Sequence, residues 1–270
     1  MPYVNNQGVR IHYELDGQGL PLVLMPGFAG TLEDWRIFGY SQVLSKDYQL
    51  ILIDPRGRGG SDKPHEVSAY DPKLLLEDVV TILDDLNIDK AHYFGYSMGS
   101  LIGWRIPIYA PERFLSLILG GYSYPLLGRE DTNNPIVTSI VNGLQMALQE
   151  APDRPMEFFL TALEKSMGNP YPPERRAQML ELDARALVAA SQALVQGTIP
   201  KAEEFLPFVN LPCLIFIGEA DPYYAEAKER TSLVPNATFF SLPGLNHLET
   251  YANTELVLPY IRNFLAEVSK

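Results

Sequence analysis

Short strand-like runs rich in aliphatic and aromatic residues recur through the first half of the chain, at residues 22–25, 50–53, 91–94 and 114–119, each flanked by glycine or proline. Runs that stay apolar instead of alternating suit strands covered on both faces, as in a parallel sheet. Residues 3–15 read differently: two short strands around Asn6-Gln7-Gly8 predict a hairpin. Between the second and third runs the period lengthens to that of a helix. Asp71 offers an N-cap, Pro72 fits the first helical position, and Leu75, Val79, Ile82, Leu83 and Leu86 fall on one stripe. Strand-like segments return at 212–217 and 238–241, with a helix-compatible stretch at 226–233 between them. Asn253 can cap a last helix whose apolar face carries Leu256, Val257, Tyr260, Ile261, Phe264, Leu265 and Val268. This alternation predicts an α/β protein built on a doubly wound, mostly parallel sheet.

Residues 122–204 break the rhythm. They hold no convincing strand, but helical patterns at 136–150, 156–166 and 174–196, separated by Pro152, Pro155, Pro170, Pro172, Pro173 and Pro200. An all-helical block inside a strand–helix alternation predicts an insertion after the sixth strand. The expected division is a core of residues 1–121 and 205–270 and a helical lid of residues 122–204.

Composition narrows the field of functions. The 270 residues are 46% hydrophobic, which excludes wholesale disorder. Twenty-one basic against thirty-three acidic residues leave a net charge of -12, a surface that repels phosphate backbones and anionic lipid. The nearest approach to a basic patch, Arg175-Arg176, sits within the acidic stretch 174–183. No apolar run reaches the ~18 residues of a membrane span. The opening Met1-Pro2-Tyr3-Val4-Asn5-Asn6 lacks the basic and apolar regions of a secretory signal. A lone cysteine, Cys213, forms neither an internal disulfide nor a zinc cluster. The expectation is a cytoplasmic monomer or homodimer acting on a small molecule, with no nucleic acid or membrane partner.

The chemistry centres on Gly95-Tyr96-Ser97-Met98-Gly99, which follows a strand-like run and precedes a helix-compatible stretch at 100–109. In that setting Gly-x-Ser-x-Gly is a nucleophile elbow: the sharp turn strains the serine backbone, and side chains two residues either way would collide. A serine of ordinary pKa needs a base. Of the four histidines, His12 lies in the hairpin, His92 lies inside the strand below the elbow, and His65 sits in a loop. His247 follows the last strand and precedes the last helix, on the sheet edge where the elbow opens, and is the expected base. Its orienting carboxylate is expected to be Asp221, in Gly218-Glu219-Ala220-Asp221-Pro222 after another strand, with Glu219 and Glu249 as rivals. Two backbone donors must face the oxyanion. The N–H of Met98 is one, and Met25-Pro26-Gly27-Phe28-Ala29-Gly30 supplies the other, with Phe28 N–H favoured. Candidate pocket residues are Trp35, Tyr122, Tyr124 and Leu248, with lid residues around Met146 and Phe158-Phe159.

On these segments, together with Asp54-Pro55-Arg56-Gly57-Arg58-Gly59-Gly60-Ser61-Asp62, the chain resembles the α/β-hydrolase superfamily, in its lidded branch of small esterases, cofactor-free haloperoxidases and proline iminopeptidases. The likeness spans nearly everything outside residues 122–204. It implies the α/β-hydrolase fold, structural roles for Asp54 and Arg56 near the oxyanion turn, and a triad in the chain order Ser97, Asp221, His247. Two positions depart from the common pattern: Pro26-Gly27 replaces His-Gly, and Gly99-Ser100 replaces Gly-Gly, a change of helix packing more than of chemistry.

A serine at the elbow argues against the carboxylate-nucleophile dehalogenases and epoxide hydrolases of this fold, and implies an acyl-enzyme. No metal or cofactor is required by this scheme. The expected activity is hydrolysis of small to medium uncharged carboxylic esters. Alternatives on the same triad are a carbon–carbon bond hydrolase, a lactonase, a haloperoxidase-type perhydrolase and a proline iminopeptidase, and outside enzymes a ligand receptor with a nearly silent triad.

Overall fold

Eight strands make one sheet in the order β1-β2-β4-β3-β5-β6-β7-β8 in a computed structural model that describes residues 2–122, 135–167, 170–194 and 200–270. β1 (Tyr3–Asn6) and β2 (Val9–Asp16) form the antiparallel hairpin, turning through Gln7 and Gly8 at positive φ (53° and 87°). β2 lies antiparallel on β4 (Tyr48–Ile53), and every other pairing is parallel. From β3 (Leu20–Met25) the chain steps outward to β4, then crosses back so that β5 (Ala91–Tyr96) lies on the other side of β3. β6 (Phe114–Gly120), β7 (Cys213–Gly218) and β8 (Ala237–Leu242) continue outward from there. The winding therefore reverses between β3 and β5, and the loops leaving their carboxyl ends part to open a crevice.

The apolar runs are unbroken because each strand is packed on both sides. Leu22, Leu24, Leu50, Leu52, Phe94 and Phe216 face one layer of helices, while their neighbours Val23, Met25, Ile51, Ile53, Tyr93 and Ile215 face the other. The first layer holds α1 (Asp34–Ile37), α2 (Tyr40–Leu44), α12 (His247–Ala252) and α13 (Thr254–Val268). The second is built on α3 (Pro72–Asp85), α4 (Met98–Gly103) and α5 (Ile106–Tyr109). Asp71 caps α3 by accepting the Lys73 N–H at 2.8 Å. The helix expected over 100–109 is two pieces, α4 and α5, with Pro107 in the first turn of the second.

The apolar stripe of α13 is narrower than its sequence suggests. Val257, Leu258, Ile261, Phe264 and Leu265 are buried, whereas Leu256 and Tyr260 are about half exposed. Tyr260 instead lays its ring flat on Phe240 at 4.1 Å. Asn253 stands at the N-cap position, although its side chain makes no capping hydrogen bond.

Between β6 and β7 lie α6 (Pro135–Glu150), α7 (Pro155–Met167), α8 (Pro173–Leu180), α9 (Ala184–Leu194) and α10 (Ala202–Phe205). The helix expected at 174–196 is thus broken in two at residues 181–183, where Asp183 accepts the Arg185 and Ala186 N–H groups and starts α9. Leu144, Phe159, Leu160, Met179 and Leu187 form a separate small core among these helices, and Phe28 and Ala29 pack against it from the loop after β3. α11 (Tyr224–Thr231) links β7 to β8. No helix among the described residues is long and apolar enough to cross a membrane.

His92 is a buried side chain of central β5, held by Ser116 Oγ at 2.8 Å and Ser269 Oγ at 3.2 Å. Burial pushes its imidazole down to about 4. The unfolded ring takes its proton near pH 6.5, so between those values the unfolded chain binds more protons and stability is lost as the pH is lowered. His92→Gln, uncharged throughout, should remove about 2 kcal/mol of the stability lost between pH 7 and pH 4.5. Urea unfolding of both chains at the two pH values measures it; equal losses would refute the assignment.

Candidate active site

Ser97 joins β5 to α4 with φ 54° and ψ -111°, a conformation that L-residues rarely adopt and that holds only when the surroundings over-determine it. Its neighbours explain how the turn closes. A Cβ on Gly95 would collide with the Gly99 carbonyl and would stand 2.7 Å from Ser100 N, and one on Gly99 would collide with Met25 O. α4 thus starts in backbone contact with the end of β3. Ser97 N–H donates to Gly120 O at 2.8 Å, and Ser100 Oγ lies 2.8 Å from both the Gly95 and Gly120 carbonyls, fastening the turn to β6. The serine that replaces the commoner glycine at position 100 therefore has a structural partner on each side.

The loop after β3 lies against the same turn. A Cβ built on Gly27 would stand 3.5 Å from Ser97 Cβ, ordinary contact distance, so residues 26–28 pass directly beside the serine. Gly30 N–H donates to Gly27 O at 3.1 Å and curls this loop into a turn. Met98, the first residue of α4, has an N–H with no carbonyl ahead of it in the helix. The switch point thus brings the loop that carries Phe28 and the start of α4, where Met98 stands, next to Ser97.

The other two segments leave β7 and β8 at the same sheet edge. Asp221 is buried, and its Oδ2 lies 2.6 Å from Nδ1 of His247, whose side chain is 30% exposed. Of the rival carboxylates, Glu219 accepts from Ser241 Oγ at 2.8 Å, and Glu249 closes a capping box with Asn246 at the start of α12. Neither is directed to the histidine. The remaining histidines are committed elsewhere: His12 to Asp54 at 2.8 Å, His92 to Ser116, and His65 to Asp183 at 3.0 Å. Among the described residues no three His, Cys, Asp or Glu side chains are grouped to hold a metal ion.

The pocket residues separate. Tyr122 packs its ring on Tyr223 at 4.9 Å, two residues past Asp221, and Leu248 is half-buried beside His247. Tyr124 lies outside the described residues. Trp35 does not line a pocket: it is fully buried among Tyr40, Phe94 and Tyr251, at ring distances of 4.8–5.5 Å, and belongs to the core under the sheet. Met146 and Phe158 face solvent, and Phe159 is buried in the helical insertion.

Four residues escaped the sequence reading. Tyr96, beside the serine, donates its hydroxyl to His247 O at 2.6 Å and stacks on Tyr251 at 4.4 Å, tying the histidine segment to the serine strand. Arg58 is fully buried under Phe28 and Met98. Asp34 and Arg175, both buried, pair at 3.2 Å and join α1 to α8. Burial pushes the Asp34 carboxyl up to about 6, against the pull of Arg175. Their charged types at surface-like helix positions carry no sequence signal of burial. Asp54 and Arg56 act as struts: Asp54 accepts Leu32 N–H and Gly60 N–H at 2.9 Å each, and Arg56 forms a buried fork with Asp78 at 2.5 and 2.7 Å.

A family model described as the alpha/beta hydrolase fold matches residues 21–248. A protein of Synechocystis sp. named as a non-heme chloroperoxidase is 28% identical over 285 aligned positions, covering 98% of this chain and all of its own. 3-Oxoadipate enol-lactonase 1 of Acinetobacter baylyi is 27% identical over 81% of this chain and 78% of its own. A solved thermophilic esterase from Thermogutta terrifontis superposes over the full length of both chains with a TM-score of 0.80 at 21% identity.

The tight approach at the elbow gives a direct test. Gly95→Ala should cost about 1–3 kcal/mol, because its methyl group must displace backbone. Gly27→Ala, whose methyl would meet only ordinary contacts, should stay within ~1 kcal/mol. Thermal denaturation of the two variants reads the difference, and equal costs would contradict the packing.

Proposed function

The chain belongs to the α/β-hydrolase fold family, and within it we propose a serine hydrolase that cleaves small to medium uncharged carboxylic esters through an acyl-enzyme. The observation that carries this reading is the 2.6 Å contact between Asp221 and His247 at the sheet edge that also bears the strained Ser97. Asp221 holds Nδ1 protonated, which leaves Nε2 as the basic nitrogen. His247 takes the Ser97 proton as Oγ attacks the ester carbonyl, and the oxyanion is met by the Phe28 and Met98 N–H groups. The imidazolium then protonates the leaving alcohol. Water then gives a proton to the same nitrogen as it attacks the acyl carbon, and the imidazolium returns that proton to Ser97 Oγ as the acyl–oxygen bond breaks and the acid leaves. The described helices between β6 and β7 act as a lid over this edge, with Tyr122 and Leu248 beside the acyl group.

The enol-lactonase relative supports a second substrate form, because a lactone is a cyclic ester and its opening needs the same steps. With a lactone the leaving alcohol stays attached to the acyl chain.

Hydrolysis of p-nitrophenyl esters from acetate to decanoate, wild type beside Ser97→Ala, tests the proposal. Turnover should peak at a short or medium chain and vanish in the variant. No turnover across the series, with Ser97 still labelled by a fluorophosphonate, would move the substrate to lactones. No turnover and no labelling would overturn the hydrolase reading.

Asp221→Asn should lower kcat by on the order of 10⁴, because the amide favours the wrong imidazole tautomer. A loss below tenfold would pass the orienting role to another group.

A further inference from the structure

Arg58 is a guanidinium with no exposed surface and no carboxylate against it among the described residues. Its Nε donates to Phe28 O, its Nη1 to Arg56 O at 3.2 Å, and its Nη2 to Met98 Sδ at 3.4 Å, while its carbon stands 5.2 Å from the centre of the Phe28 ring. Every other buried arginine side chain that the site rests on has an acid: Arg56 has Asp78, and Arg175 has Asp34. Burial lowers the Arg58 guanidinium to about 10, so it stays protonated at neutral pH. A buried cation with no carboxylate against it is costly, and the neutral acceptors around Arg58 offset only part of that cost. Apart from the Arg56 carbonyl, the groups it holds are the Phe28 carbonyl and ring and the Met98 sulfur, on the two residues whose N–H groups are assigned to the oxyanion.

We propose that Arg58 is a positioning residue of the oxyanion hole, clamping Phe28 and Met98 together beside Ser97 and lending uncompensated positive charge to the negative charge that forms there. The proposal rests on the ester-hydrolase reading and deepens it. Its charge acts through the low-dielectric interior, and its fork fixes the Phe28 residue whose N–H must be aimed before reaction begins. No atom of Arg58 needs to touch substrate. The effect belongs to the tetrahedral state, where an oxygen carries full charge, and hardly to the neutral ester.

The test compares wild type with Arg58→Met, which keeps length without charge, and Arg58→Lys, which keeps charge without the fork. Two quantities are read: kcat and KM on p-nitrophenyl acetate, and the dissociation constant of phenylboronic acid, whose adduct with Ser97 places an anionic oxygen in the same hole. Arg58→Met should lose ~10–100-fold in kcat with KM within about twofold, and weaken boronate binding by a similar factor. Arg58→Lys should recover part of both losses. Should Arg58→Met fail to fold by circular dichroism, Arg58→Gln against Arg58→Lys decides in the same way. A folded neutral variant with kcat and boronate affinity within twofold of wild type overturns the proposal. So does a kcat loss with boronate affinity unchanged, because a general loosening of the fold would give it. Wild type that binds boronate at Ser97 but turns over no ester would refute the ester reading alone, and the boronate comparison would still decide Arg58. Wild type that binds none would refute both.

Discussion

Everything at the working edge of this molecule depends on one close approach, the backbone of residue 99 lying against the carbonyl of Met25. It brings the start of α4 to the end of β3, and so places the Ser97 turn beside the loop that carries Phe28. The strain at Ser97 is the local cost of that geometry, met by hydrogen bonds from Ser97 N–H and Ser100 Oγ to β6. Without the crossing that puts β5 next to β3, these two loops would be separated by a strand. The site is thus a property of strand order before it is a property of any side chain.

Around this point the polar groups act as ties between distant parts of the chain. Asp54 fastens the segment after the Phe28 turn to the loop that follows β4, and Arg56 fastens that loop to α3. Tyr96 carries the serine strand to the histidine segment. The Asp34–Arg175 pair carries α1 to α8 in the insertion, and His65 with Asp183 makes a second, more exposed link from the loop before α3 to the start of α9. Each tie adds the directionality of a hydrogen bond between elements far apart in sequence, where packing alone would leave freedom.

The sheet was legible in the sequence because burial on both faces erases alternation: residues 22–25 and 50–53 read as unbroken apolar runs, and the structure sends successive side chains to opposite layers. The elbow was legible because glycines at 95 and 99 have a steric reason that the motif itself states. Asp221 and His247 could be brought together on paper since both follow parallel strands, whose carboxyl ends share one edge. Trp35 misled, because its neighbours Phe94 and Tyr251 lie far away in sequence, and nothing local separates a core tryptophan from a pocket one. Tyr260 misled likewise, as helical spacing places it on the stripe while a ring from β8 draws it to the rim. Arg58 was hidden for a different reason. Its burial follows from the fold of three loops at once, and an arginine between glycines reads as solvent-facing.

The placement of the four segments also bears on the life of the chain before it is finished. Phe28, Ser97, Asp221 and His247 are contributed from one end of the sequence to the other, and the last of them stands close to the C-terminus. The contact of Tyr96 with His247 O spans 151 positions. A chain emerging from the ribosome makes β3 and β5 early, yet the contact of Asp221 with His247 must wait until β8 and α12 have been made and docked. A chain cut short anywhere before residue 247 therefore carries the strained turn at Ser97 without the segment that Tyr96 ties to it.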